Sequence, residues 1–399
     1  MNRSINKHAL IFGFISVFLT GLGLTIVSPV LPFLVAPYTN NAQMQATAVT
    51  LLMSVYALAV FIAAPALGML SDRFGRRPVM ILSLLGSALG YFIFGLGGAL
   101  WILFLGRIIE GLTGGEISAI FAYFADIVPV NERTKYFGGI SAVVGLGTAL
   151  GPTIGGMLAT FGNSIPMYAG AVITLLNAVY GYFFMPEMLV KENRSQGTSL
   201  AQFNPVTVIL QIFTLRSVKK LLLAGFFIWL PNGSLQAIFS QLSIDTFAWT
   251  PARIGLIFSI LGVLDIFSQA MIMPRLLNIL TDRKIVLLGI CGELVGYFFI
   301  AWSVSVSSYV LFILGMLFFG IGDAVFGPAF NGLLSKSVHA GEQGRIQGSA
   351  QSIQALARVI GPIMGGQFYA LIGHGMPAWM GIVCLSVALI ILRDKIAAK

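Results

Sequence analysis

Long apolar runs constrain this chain more than any other feature. Twelve stretches of predominantly apolar residues follow one another along its 399 residues, each close to the ~20 residues a helix needs to cross a bilayer. They centre near Val17, Ala57, Gly90, Leu112, Gly147 and Leu176, then near Ile228, Ser259, Val295, Gly315, Ile360 and Leu385. Hydrocarbon offers no water to backbone N–H and C=O groups, so runs of this length satisfy themselves as helices. Composition agrees: 57% of residues are hydrophobic and 9% charged, against roughly 25% charged in a soluble domain. The expected fold class is an all-α membrane protein.

A net charge of +9 would suggest a nucleic-acid partner in a soluble protein. Here the basic residues sit in loops between apolar runs, so the charge reports orientation and no nucleic acid is expected. With both termini placed in the cytoplasm, twenty of the 23 Lys and Arg residues fall on inner segments and one, Arg253, on an outer loop. Arg107 and Arg358 fall inside runs. The first run extends from Ala9 past Pro32 with no small-residue cleavage site after it. That is too long for a cleavable signal, so it is expected to stay as the first helix. Cys291 and Cys384 both sit inside apolar runs, which indicates neither a disulfide framework nor a metal site. His8, His339 and His374 are terminal or in loops, against a buried histidine relay. With no His pair, Cys/His cluster or GxSxG, an intramembrane enzyme lacks its parts. No cofactor is expected.

Connecting loops are short except for 187–220, which carries Lys191, Arg194, Arg216, Lys219 and Lys220. It reads as a cytoplasmic linker with some amphipathic helix, dividing the chain into six-helix halves at 1–186 and 221–399. The halves repeat. "NERTKYFGG" from Asn131 resembles "GEQGRIQGS" from Gly341, and "GPTIGG" from Gly151 resembles "GPIMGG" from Gly361, both at an offset of 210 residues. Paired repeats facing each other suit alternating access, with the substrate site between them.

Seven ionisable residues fall within runs: Arg107, Glu110, Glu116, Asp265, Glu293, Asp323 and Arg358. Such residues are costly in lipid and are functional candidates by default. At about 100° per residue, Arg107 and Glu110 lie about 60° apart, whereas Arg107 and Glu116 oppose each other. Arg107 shares its side with Gly111, Gly114 and Ser118. Glu116 lies with Ile109, Leu112 and Tyr123, a face expected to line a cavity or meet another protein surface. Glu110 reads as an ion-pair partner of Arg107 or a proton site. Asp265 and Arg358, each near the middle of its run, are expected to pair. Asn232, Gln236 and Asn331 are polar cavity candidates, together with Arg107, Glu116 and Tyr123.

Three motifs carry a family resemblance. "GMLSDRFGRRPVM", residues 68–80 between the second and third runs, is similar to the signature loop of the major facilitator superfamily. The resemblance implies that Gly68 and Gly75 permit close backbone approach. It also implies that Asp72, Arg73, Arg76 and Arg77 form a cytoplasmic gate cluster with Asp126. "RIIEGLTGG" from Arg107 resembles the fourth-helix motif. "GTALGPTIGG" resembles the fifth-helix motif of drug/proton antiporters, with Gly147, Gly151, Gly155 and Gly156 for tight packing and Pro152 for a kink. With "GLTIVSPVLPFL" and "ALWILFLGR", nearly the whole chain looks similar to the twelve-helix tetracycline/proton antiporters and their multidrug relatives. Where that group has acids in its first and third helices, this chain has Thr20 and Gly90. Glu293 falls at the ninth-helix acid, and Asp265 about where the group has a histidine. The first, fourth, seventh and tenth helices line the family's cavity, which favours Glu116 and Asp323 for proton coupling over Glu110, Asp265 and the peripheral Glu293.

The resemblance implies a monomeric, proton-coupled exporter of a hydrophobic drug-like molecule in a bacterial inner membrane, with lipid around it. A sugar, metabolite or siderophore carrier of the same fold is the alternative.

Overall fold

A computed structural model of the chain describes residues 7–114, 120, 123–124, 133–187, 219–337 and 343–396. Glu116, Asp126 and most of 187–220 lie outside the described residues. Regular structure among the described residues is entirely helical. The long helices in the first half are α1 (Lys7–Ile26), α2 (Ala42–Phe74), α3 (Arg76–Leu96), α4 (Leu100–Thr113), α5 (Arg133–Leu158) and α6 (Ile165–Phe184). In the second half they are α7 (Lys219–Phe247), α8 (Pro251–Ile279), α9 (Asp282–Val306), α10 (Tyr309–Lys336), α11 (Gln343–Leu371) and α12 (Met376–Ile396). Among the described residues, eight spans are long and apolar enough to cross a membrane, lying in α2, α3 and α5 to α10. Shorter apolar segments, Leu10–Gly23 and Met376–Leu392, occupy α1 and α12.

Helix contacts repeat with a shift of six. α1 packs on α5 and α6, and α7 packs on α11 and α12; α3 packs on α4 and α6, and α9 packs on α10 and α12. Glycines make the tightest of these seams. In the first half a Cβ on Gly106 would sit 2.8 Å from the Phe94 nitrogen and 2.9 Å from the Gly90 oxygen. In the second, a Cβ on Gly315 would sit 2.9 Å from both the Ile300 nitrogen and the Gly296 oxygen. Only backbones without side chains approach so closely, and close approach is what holds helices together in lipid.

The chain gathers into two compact units. One comprises residues 1–38, 55–205 and 250–259; the other comprises 39–54, 206–249 and 260–399. The opening turns of α2 therefore group with the second unit and those of α8 with the first. Phe12, Val17, Met80, Leu84, Tyr123, Phe124 and Ile140 form part of a buried cluster in the first unit. Leu230, Ala357, Met380 and Cys384 form one in the second.

α8 is not uniform. Residues Ser268–Ile272 form a π-helical turn before the helix resumes at Met273–Ile279. Pro274 has no N–H for the carbonyl four residues earlier, and a wider turn is one way to absorb that defect.

Candidate functional site

The α2–α3 junction is built from its backbone outward. One residue, Gly75, separates the helices at φ 109°, a conformation that L side chains rarely adopt. α3 then begins with free N–H groups, and the Glu187 carboxylate takes two of them: Oε1 from the Arg76 nitrogen and Oε2 from the Arg77 nitrogen, each at 3.1 Å. A carboxylate at a helix N-terminus satisfies donors and complements the dipole. Arg76, largely buried, donates to Asp72 Oδ1 at 2.5 Å and to Ser71 Oγ at 3.2 Å. Arg77 donates to the Tyr182 carbonyl at the end of α6 and lies 5.8 Å from that ring's centroid. Arg73 lies over Phe74, and Gly68 falls inside α2. Asp126 is outside the described residues. Glu187, the first residue after α6 in the apolar pattern to carry charge, had no motif to mark it.

The α5 motif divides its glycines between two neighbours. Gly147, Gly151 and Gly155 turn to α1, where Cβ atoms would press on the backbone of Phe18, Leu22 and Ile26. Gly156 turns to Pro251 and Ala252 at the start of α8, and Gly255 returns the approach toward Pro152. Thr153 Oγ1 bonds Ser259 Oγ at 2.5 Å, and Ser259 Oγ donates to the Ala149 carbonyl at 2.6 Å. Pro152, inside α5, lies in this contact.

In the first unit Arg107 and Glu110 form a closed pair. Arg107 Nη1 donates to Glu110 Oε2 at 2.7 Å, with both side chains buried. The guanidinium carbon sits 3.9 Å from the Tyr56 ring centroid, a cation–π placement, and the Tyr91 hydroxyl bonds Glu110. Beside Glu110 lies a cavity of ≈ 20 Å³ whose lining includes Thr20, Gly23, Tyr56, Tyr91 and Thr174, room for about one water. Gly90 has no space for a side chain: its Cβ would meet the Glu110 nitrogen at 2.7 Å. The two positions without the family acids thus surround the acid from α4.

Two cavity expectations need correction here. Tyr123 is fully buried in the first unit's core cluster, its hydroxyl unbonded. Arg107 is 2% exposed and engaged with Glu110 and Tyr56, so in this structure neither residue presents a surface to a ligand.

The second unit brings together residues far apart in sequence. Asn232 of α7 donates through Nδ2 to Asp323 Oδ1 of α10 at 3.0 Å, and the Tyr297 hydroxyl of α9 donates to Asn232 Oδ1 at 3.1 Å. Glu293, one turn before Tyr297, is fully buried; neither carboxylate oxygen meets a donor at good hydrogen-bond geometry, although the Asn232 side chain lies alongside. Glu293 is therefore buried with the cluster rather than peripheral to it. Asp265 accepts from Gln269 Nε2 at 2.9 Å, a contact one turn along into the π-helical segment. Asp265 and Arg358 both lie within electrostatic reach of Asp323. Asp323, Arg358, Gln236 and Asn331 are exposed. A charge exposed midway along a spanning helix must face water or a polar ligand, because facing lipid would be prohibitive. That makes the surface around Asp323 and Arg358 the candidate binding surface.

A second polar set had no sequence signal. Asp245 near the end of α7 takes both oxygens' bonds from Gln241 Nε2, at 2.9 and 3.0 Å, and one from the Tyr369 hydroxyl at 2.6 Å. The His374 ring stacks on Tyr369 with centroids 4.6 Å apart.

Repeated helix sets around polar residues at membrane depth define a multi-pass membrane carrier built from two related halves. The chain belongs to the Major Facilitator Superfamily, whose family model matches residues 13–392, a family of transporters and not of enzymes. It is 33% identical over 368 residues to tetracycline resistance protein, class C, of Escherichia coli, covering 92% of this chain and 91% of that protein. It is 28% identical over 393 residues to multidrug resistance protein 2 of Bacillus subtilis (strain 168), covering 96% and 95%. The fold matches the crystal structure of the human organic anion transporter MFSD10 with a TM-score of 0.72 at 22% identity, covering 98% of this chain and 100% of that one.

Proposed function

We propose that this transporter exports a hydrophobic, drug-like small molecule across a bacterial cytoplasmic membrane in exchange for protons. The observation that carries the reading is Asp323, an exposed carboxylate in the middle of α10 bonded to Asn232 of α7. A carboxylate there can exchange a proton with water and meet a ligand on the same face. Substrate and proton then bias the same two-state equilibrium, as coupled exchange requires. The resistance proteins of Escherichia coli and Bacillus subtilis among its relatives support a drug-like substrate. Both termini are cytoplasmic in this reading, and the monomer is the working unit.

Arg358 supplies the counter-charge to Asp265 and Asp323, and the cluster around Asp72, Arg73, Arg76 and Arg77 closes the cytoplasmic side in one state of the cycle. Gln236 and Asn331 contribute polar contacts to the substrate face. Glu116, outside the described residues, remains a second proton-site proposal.

A drug-susceptibility panel in cells expressing the protein, with and without a protonophore, tests the function. Resistance to at least one hydrophobic compound, lost when the gradient collapses, is the expected result. Counterflow in liposomes separates a transporter from a protein that only binds; binding without counterflow contradicts the proposal.

A further inference from the structure

Asn232 occupies an unusual place among the ionisable groups of the second unit. Its amide nitrogen has two hydrogens. One bonds Asp323 Oδ1 at 3.0 Å, and Glu293 lies next to the same side chain. The amide oxygen is taken by the Tyr297 hydroxyl at 3.1 Å, which turns the nitrogen toward the acids. The glycine seam fixes the rest of the geometry. A Cβ on Gly322, the residue before Asp323, would lie 2.6 Å from the Glu293 nitrogen. α9 and α10 therefore carry their acids past each other at backbone contact.

The acids have opposite surroundings. Asp323 is exposed and hydrogen-bonded, while Glu293 is fully buried without a well-aligned donor. Two negative charges on helices in backbone contact, one fully buried without a well-aligned donor, would be penalised even with Arg358 near Asp323. Single protonation removes that conflict, as it does in other close carboxylate pairs. Among the described residues, Asp265 from α8 and Arg358 from α11 act on Asp323, Tyr297 from α9 lies near both acids, and Cys384 from α12 lies near Tyr297.

We infer that Asn232 joins Glu293 and Asp323 into one carboxylate pair that holds a single exchangeable proton. This deepens the proton-coupled reading above and rests on it for its role in transport. When the proton passes from Glu293 to Asp323, one O–H bond breaks and another forms, and the pair keeps a charge of minus one. The proton then stands on the exposed acid, where water or a bound ligand can exchange with it. Asn232 and Tyr297 are positioning residues: they orient the pair without taking the proton.

Infrared spectroscopy of the purified protein in liposomes reads the carboxylic C=O stretch as pH is stepped, whether or not a substrate is known. The band lost in Asp323→Asn identifies Asp323. Its titration midpoint is expected to move by at least about one pH unit, tenfold in proton affinity, in Glu293→Gln. The same Glu293→Gln shift should be smaller in an Asn232→Leu background. Tyr297→Phe provides a gentler disruption should Asn232→Leu not fold, and should also reduce the shift. An Asp323 midpoint unchanged by Glu293→Gln overturns the inference, as does an equal shift in the Asn232→Leu or Tyr297→Phe background. A coupled titration in a protein with no transport retains the pair and removes the export reading. Proton-driven transport with uncoupled titration does the reverse.

Discussion

The α3–α4 seam of the first unit and the α9–α10 seam of the second share a backbone arrangement and differ in what they carry. Gly90 and Gly106 permit the first approach, Gly296 and Gly315 the second. Tyr91 and Tyr297 each stand one residue beyond the corresponding glycine, and each hydroxyl meets a polar partner. In the first unit that partner is Glu110, already neutralised at 2.7 Å by Arg107 from the same helix. In the second it is Asn232, which reaches acids supplied by other helices. One repeat has closed its charges into a local pair on a single helix, and the other holds an exposed Asp323 bonded to a different helix. The same scaffold thus carries an enclosed ion pair in one unit and, in the proposed function, the exchanging acids in the other.

The comparison breaks most readily at Arg107. Arg107→Met leaves Glu110 buried without its counter-ion and is expected to destabilise the protein by about 3–5 kcal/mol. Combining it with Glu110→Gln should recover part of the loss. Denaturant or thermal unfolding in detergent checks both, and additive losses in the double mutant would contradict a closed pair.

Substituting the seams themselves should hurt both units alike. A Cβ on Gly90 would stand 2.7 Å from the Glu110 nitrogen, and one on Gly322 2.6 Å from the Glu293 nitrogen. Gly90→Ala and Gly322→Ala are each expected to cost roughly 1–3 kcal/mol through overpacking. A harmless Ala at either position would show that the backbones are not in contact there. At the α2–α3 junction, Glu187→Ala removes the acceptor for two N–H groups of α3 and should cost about 1 kcal/mol, read by the same unfolding measurements.

How much of this was readable without coordinates depends on sequence separation. The spanning helices follow from run length, and the two related halves from an offset of 210 residues. Arg107 and Glu110 stand three apart on one helix, so helical geometry alone brings them to one side. The motif implies close backbone approach at Gly75, whereas in the structure this residue supplies the positive-φ break between α2 and α3. Nothing in the sequence announces that Glu187 caps α3 from 111 residues away, because any acid near a helix end fits that pattern. The Asn232 contacts span 91 residues to Asp323 and 65 to Tyr297, and only packing selects one partner over another at such range. Glu293 looked peripheral because its helix is so in the family, yet the side chain's direction, set by the glycine seam, decides its company. Tyr123 shows the converse: a polar-tipped aromatic suits a cavity wall or a core equally, and here the core took it.

The smallest stability effect expected is at Asp323. Asp323→Asn removes a charge from an exposed site and keeps an oxygen for the Asn232 amide, so unfolding should change by no more than about 0.5 kcal/mol. Its effect on transport is the direct test of an open, exchanging second unit. Once a compound is identified in the susceptibility panel, wild type and Asp323→Asn would be compared in proteoliposomes for counterflow and for transport driven by a pH gradient. Counterflow that persists while gradient-driven transport falls at least about tenfold, equivalent to ~1.4 kcal/mol, is the predicted result. Gradient-driven transport at the wild-type rate in Asp323→Asn would contradict the account.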